Sequence, residues 1–128
     1  MINKITSGAK AMLGAIVLLL VFTGSAIAQD KVTEGTAKLT GFMKTQLSLN
    51  DNQYTKVSDV NRVYLQKAKD SHATNASKLD KAKKLKALEE ERDTKLKSVL
   101  TKDQYKIFIA NRAENTKKLK EACEEVIK

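Results

Sequence analysis

From Val32 onward the large apolar residues recur at steps of three and four, the spacing of one face of an α-helix. Four segments carry this pattern. Val32, Leu39, Phe42, Met43 and Leu47 mark a first helix over about Thr33 to Gln46. Gly35 and Gly41 weaken it, each by about 1 kcal/mol relative to Ala, and its start is expected to fray. Tyr54, Val57, Val60, Tyr64, Leu65 and Ala68 mark a second, and its pattern fades into a turn or kink over Ser71 to Ser77. A third covers Lys78 to Leu100, with Leu79, Ala82, Leu85, Leu88, Leu96 and Val99 expected on its buried stripe. Arg92 interrupts that seam and disfavours a long uniform coiled coil. The fourth opens at Thr101 and carries Tyr105, Phe108, Ile109, Arg112, Thr116, Leu119, Cys123 and Val126 at helical steps. No stretch shows sustained strand-type alternation. The fold class is all-α, about four helices with short connections and no second domain.

Two helix starts echo one another: Leu49-Asn50-Asp51-Asn52-Gln53-Tyr54 and Leu100-Thr101-Lys102-Asp103-Gln104-Tyr105. Asn50 and Thr101 are capping residues. Gln53 and Gln104, three positions on, are placed to reach back to the cap's own N–H. Leu49 and Leu100 occupy the position where a hydrophobic staple packs against the residue at N4, Tyr54 or Tyr105. The structural motif is therefore Leu49, Asn50, Gln53, Leu100, Thr101 and Gln104, and its plain role is capping.

The N-terminus has a different character. Lys4 and Lys10 precede the uncharged apolar run Ala11 to Phe22, and no acid appears before Asp30. Ser25-Ala26-Ile27-Ala28 then places small residues where a signal peptidase reads them. This predicts a signal peptide over 1–28 and a single mature domain over 29–128. An uncleaved transmembrane anchor is the alternative; Gly24, Ser25 and the A-x-A site argue against it. No Cys follows the site, which argues against a lipoprotein. The expected compartment is the periplasm, with no stable membrane anchor after cleavage.

Charge and composition narrow the partners. The mature part holds 22 basic and all 15 acidic residues, a formal +7. That excess favours anionic partners, and export removes nucleic acid from them. With no Trp, no Pro and sparse large apolar residues, the chain cannot bury a thick core. Elongated helices, a dimer, or both would reconcile this with stability. The lone Cys123 is either a small apolar residue on the last helix or one half of an intermolecular disulfide.

On the twin motif the sequence resembles the Spy/CpxP family, whose hallmark is a twice-occurring Leu-Thr-x-x-Gln. Leu100 to Gln104 matches fully; Leu49 to Gln53 has Asn50 in place of Thr, a swap the capping role tolerates. The order of export signal and helices agrees along nearly the whole mature chain. The resemblance implies bent helical hairpins in an elongated, cradle-shaped antiparallel homodimer. It also implies ATP-independent binding of unfolded or misfolded clients under envelope stress, or regulation of an envelope-stress sensor kinase through its periplasmic domain.

The candidate client-binding residues are Arg62, Lys67, Lys69, Lys78, Lys81, Lys83, Lys84 and Lys86, set against only two acids, Asp70 and Asp80. The basic composition belongs to this sequence; its placement on a concave face is implied by the resemblance. The plain alternative is a solvated helix face conferring solubility, and a structural envelope protein with no client is the matching function. Some relatives bind zinc, but His72 is the single histidine and no ligand spacing surrounds it, so no metal or cofactor is expected. Glu89 to Glu91 and Glu124-Glu125 read as helix-surface carboxylates, and Glu89 to Glu91 can reach partners such as Lys86 and Lys95 at helical spacing. No activated nucleophile or phosphate loop is present, so no catalytic residues are assigned and the expectation is a non-enzyme.

Overall fold

The computed structural model describes residues 30–128, and these are helical with short connections. The expected signal segment 1–28 lies outside the described residues. The helices are α1 (Asp30–Leu47), α2 (Asp51–His72), α3 (Lys78–Val99), α4 (Lys102–Ala110) and α5 (Arg112–Ile127). The segment expected as one fourth helix is thus two. Asn111, at φ −104° and ψ 25°, leaves the helical region and ends α4. The break disturbs the ladder around the Phe108 carbonyl, which accepts from Asn115 Nδ2 at 2.8 Å. Asn111 Nδ2 donates to the Ile107 carbonyl, also at 2.8 Å.

Helix ends follow the capping chemistry. Asn50, Ser77 and Thr101 sit in extended backbone and accept from the N–H three residues on, starting α2, α3 and α4. α1 ends at Ser48, whose φ of 53° is left-handed, and the Leu49 N–H turns back to the Lys44 carbonyl. The start of α1 is helical from Asp30 and anchored by the buried Val32, where fraying was expected. Its glycines differ in role. A Cβ on Gly35 would lie 3.3 Å from Val126 Cγ1 and 3.4 Å from Leu65 Cδ1, so the missing side chain lets α1 approach α2 and α5. Gly41 faces open space.

α2 is the central helix. It touches α1 through Asn61 and Thr40, α3 through Asn61 and Arg92, and α5 through Tyr64 and Cys123. Gln53 reaches Val99, Lys67 reaches Glu91 and the His72 carbonyl reaches Lys81, so α2 and α3 run in opposite directions.

The core is thin and split. One apolar cluster gathers Val32, Leu39, Tyr64, Leu65, Leu88, Leu119 and Val126. The other gathers Met43, Leu47, Leu49, Val57, Leu96, Leu100 and Phe108. Between them each helical arm contributes one buried polar residue: Thr40, Asn61, Arg92 and Asn115. In each arm that residue lies between a member of one cluster and a member of the other. This polar layer was not foreseen.

The expected stripe of α3 fails at its start. Leu79 is 65% exposed and Ala82 is exposed, because the buried residues of α3 begin only at Leu88. Ile109 and Thr116, also expected inward, face outward; Phe108, Leu119, Cys123 and Val126 are buried as spaced, joined on the inner face by Asn115 and Ala122.

Candidate functional site

Three features of the described residues carry chemistry beyond ordinary packing. The first is the junction of the two helix starts. Both capping boxes are formed, and their glutamines meet. Gln53 Nε2 donates to Gln104 Oε1 at 2.7 Å, and Gln104 Nε2 donates to Gln53 Oε1 at 3.0 Å. Each Nε2 also donates to the last helical carbonyl of the opposite joint, Gln53 to Val99 and Gln104 to Leu47. Each Oε1 also accepts from its own cap's N–H, Asn50 or Thr101. Every donor and acceptor of both amides is engaged. Leu49 and Leu100 are buried beneath this joint, with Tyr105 packed on the same cluster. Tyr54 instead lies under the Lys44 ammonium, 5.4 Å from ring centroid to nitrogen.

The second is the basic end of α2 and α3. Arg62 pairs with Asp59 one turn back on α2. Lys67 bridges to Glu91 on α3 at 3.1 Å, and Lys95 reaches the same carboxylate at 3.2 Å. Hydrogen bonds from Lys67 and Lys95 hold the Glu91 pKa below its ordinary value. The expected Glu–Lys86 pair is not formed; Lys95 alone supplies the within-helix pair. Lys81 donates to the His72 carbonyl at 2.9 Å, capping the end of α2. Lys69, Lys78, Lys83, Lys84 and Lys86 have no carboxylate partner among the described residues. The exposed Leu79 sits among them. The structure therefore brings seven of the eight basic candidates to one end of the α2–α3 pair and leaves Arg62 more than a turn behind on α2. His72 closes α2 rather than lying in the loop, and it is exposed. Among the described residues no three acidic, Cys or His side chains are grouped to hold a metal.

The third is the buried polar layer. Arg92 donates through Nε to Asn61 Oδ1 at 2.9 Å and through Nη2 to Met43 Sδ at 3.4 Å, and lies 5.9 Å over the Tyr64 ring. Asn61 in turn donates to Thr40 Oγ1 at 3.0 Å. Burial lowers the Arg92 pKa to about 10, which still leaves it charged at neutral pH. Burial raises Tyr64, and the neighbouring Cys123 adds to it; burial likewise raises the Cys123 thiol, which donates to Tyr64 Oη at 3.6 Å. Cys123 is buried and unbridged. Beside this layer, α3 and the α4–α5 arm border an open groove. At one end of the groove Asp93 accepts from Tyr105 Oη at 3.1 Å and lies 3.8 Å from Arg112.

Sequence reasoning found the basic residues and the caps but missed the layer and the groove. The available signals were a polar residue inside each apolar stripe, Asn61 between Val57 and Tyr64, and Arg92 between Leu88 and Leu96.

The described chain is thus an all-helical protein built on twin capped joints, and no described helix is long and apolar enough to cross a membrane. Residues 27–108 match the family model described as Domain of unknown function (DUF4890). That match spans well over half of the chain, including both glutamine joints, and the chain belongs to this family. No curated protein and no solved structure matches it.

Proposed function

We propose that this protein is an ATP-independent, chaperone-like binding protein of the periplasm, exported by residues 1–28 and without catalytic activity. Its partners are unfolded or partly folded proteins, held at the basic end of α2 and α3. The observation that carries this reading is the group of lysines around the exposed Leu79 that have no acidic partner among the described residues. The first turns of α3 lie outside the core, since α3 contributes no fully buried residue before Leu88. Long-range attraction speeds encounter with acidic chains, and a shallow apolar contact holds them loosely enough to fold. The likeness of the twin motif to the Spy/CpxP family supports the same function and adds a cradle-shaped antiparallel homodimer of bent helical hairpins. A thin core split by a polar layer fits a chain that gains stability from a second copy.

The test is dilution of a chemically unfolded model enzyme into buffer with and without this protein, in the absence of nucleotide. Light scattering should fall at a near-stoichiometric ratio. No protection, together with capture of a single membrane sensor kinase, would replace the chaperone reading with a regulatory one. Failure of both leaves a structural envelope protein.

A further inference from the structure

The α2–α3 hairpin ends in a tip of uneven charge. From Lys69 to Lys86 it carries six lysines against two acids, Asp70 and Asp80. None of the six pairs with a carboxylate among the described residues, and Lys81 is taken up by the His72 carbonyl. Leu79 lies in the first turn of α3 and is 65% exposed. Ala82, Lys83 and Lys86 follow it at helical steps and are exposed too, so lysine stems flank the leucine on one face.

The start of α1 lies level with this tip. Gly35 packs on Leu65 and Thr40 on Asn61, so α1 runs back along α2 and Asp30 falls beside the last turns of α2. The adjoining ends of α1 and α5 carry both signs, Lys31 and Lys128 against Asp30 and Glu124, so the positive excess belongs to the hairpin. Seven residues separate Asp30 from the apolar run Ala11 to Phe22. Even fully extended, that interval spans no more than about 28 Å. A bilayer that takes up the run therefore lies close to the lysines.

A lone leucine ringed by ammonium groups fits an acceptor that is anionic, laterally extended and penetrable by one side chain. Nucleic acid offers the charge without an apolar interior, and a folded acidic protein needs a preformed pocket for Leu79. An anionic bilayer interface supplies charge and apolar depth together. We infer that the α2–α3 tip docks on the surface of an anionic phospholipid bilayer. Leu79 enters the boundary between headgroups and acyl chains, and the lysines meet the phosphates. This goes beyond client capture but draws on the same lysines, so lipid and client compete for the tip.

The protein from Gln29 onward contains both apolar clusters and lacks the Ala11 to Phe22 run, so its binding to vesicles reports the folded part alone. It is sedimented with vesicles of phosphatidylglycerol and phosphatidylcholine in equal parts, and with vesicles of phosphatidylcholine alone. The mixed vesicles should carry it down and the neutral ones should not. Lys83→Gln, Lys84→Gln and Lys86→Gln should each weaken binding about fivefold with the melting temperature unchanged. The chain has no Trp, so Leu79→Trp supplies a single indole at the tip. Its emission should shift to shorter wavelength on the mixed vesicles only. No binding, equal binding to both vesicles, or a bound Leu79→Trp variant with unshifted emission would overturn the inference. Failed vesicle binding beside intact aggregation suppression removes the lipid surface and keeps the client reading. Vesicle binding without aggregation suppression does the reverse.

Discussion

Gln53 and Gln104, 51 residues apart, exchange a reciprocal pair of hydrogen bonds at 2.7 and 3.0 Å. Each also closes its own helix start and satisfies the end of the helix that precedes the other. A local capping motif used twice has become the long-range clasp between the α1–α2 and α3–α4 joints. Replacing either Gln by Ala should cost about 2 kcal/mol, because it leaves the partner amide and a helix-end carbonyl short of bonds. Replacing both should cost clearly less than the sum. A coupling energy of about 1 kcal/mol or more from urea unfolding of the four-protein cycle would confirm the clasp, and strict additivity would refute it.

Three backbone positions give opposite expectations. Gly41→Ala meets nothing and should raise stability by about 0.5–1 kcal/mol. Gly35→Val drives a branched side chain into Val126 and Leu65 and should lower it by about 1–3 kcal/mol. Ser48→Gly relieves a left-handed residue and should stabilise by up to about 1 kcal/mol. Thermal melts of the three single variants check all of these.

The polar layer predicts that single and double changes diverge. Arg92→Met alone leaves the buried Asn61 Oδ1 without its donor, and Asn61→Leu alone strands the guanidinium among apolar atoms. Each should destabilise by about 1–3 kcal/mol. The double variant Asn61→Leu with Arg92→Met should recover part of that loss, since both halves of the Asn61–Arg92 contact are then removed and only the buried Thr40 hydroxyl, which accepts from Asn61, is left short of a partner. Equilibrium denaturation measures the recovery.

Alkaline pH should weaken the fold through Tyr64 and Cys123. Both are held protonated by burial, with pKa values above the ordinary 10.0 and 9.0. The unfolded chain then loses these protons first, so stability falls as pH rises past about 9 for the thiol and about 10 for the phenol. The limiting slope is about 1.4 kcal/mol per pH unit for each proton. In Tyr64→Phe the fall above pH 10 should be shallower than in the unaltered protein. Urea midpoints at several alkaline pH values provide the comparison.

Much of the helical framework was legible because capping and three-four spacing are local. Asn50, Ser77 and Thr101 start their helices where their side chains meet the third N–H, and the stripe of α2 lies inward as spaced. What failed was set by distant partners. Leu79 continues the α3 pattern but sits beyond the reach of the core. Asn111 breaks a helix without Pro or Gly, and the Asn115 amide that answers the break is four residues away. Arg92 reads as a flaw in an apolar seam until Asn61 and Met43, 31 and 49 residues away, complete it. The basic residues were visible in the sequence, but that Lys69, Lys83 and Lys86 have no acidic partner among the described residues required the neighbouring helices.

The functional reading turns on electrostatic capture at the lysine end. Protection of an unfolding enzyme should be measured from about 0.05 to 1 M salt, over which screening shortens from more than about 10 Å to about 3 Å. The account predicts protection that declines steadily with salt, and a variant with Lys69, Lys83, Lys84 and Lys86 changed to Gln that performs at low salt as the unaltered protein does at high salt. Protection indifferent to both salt and these lysines would contradict it.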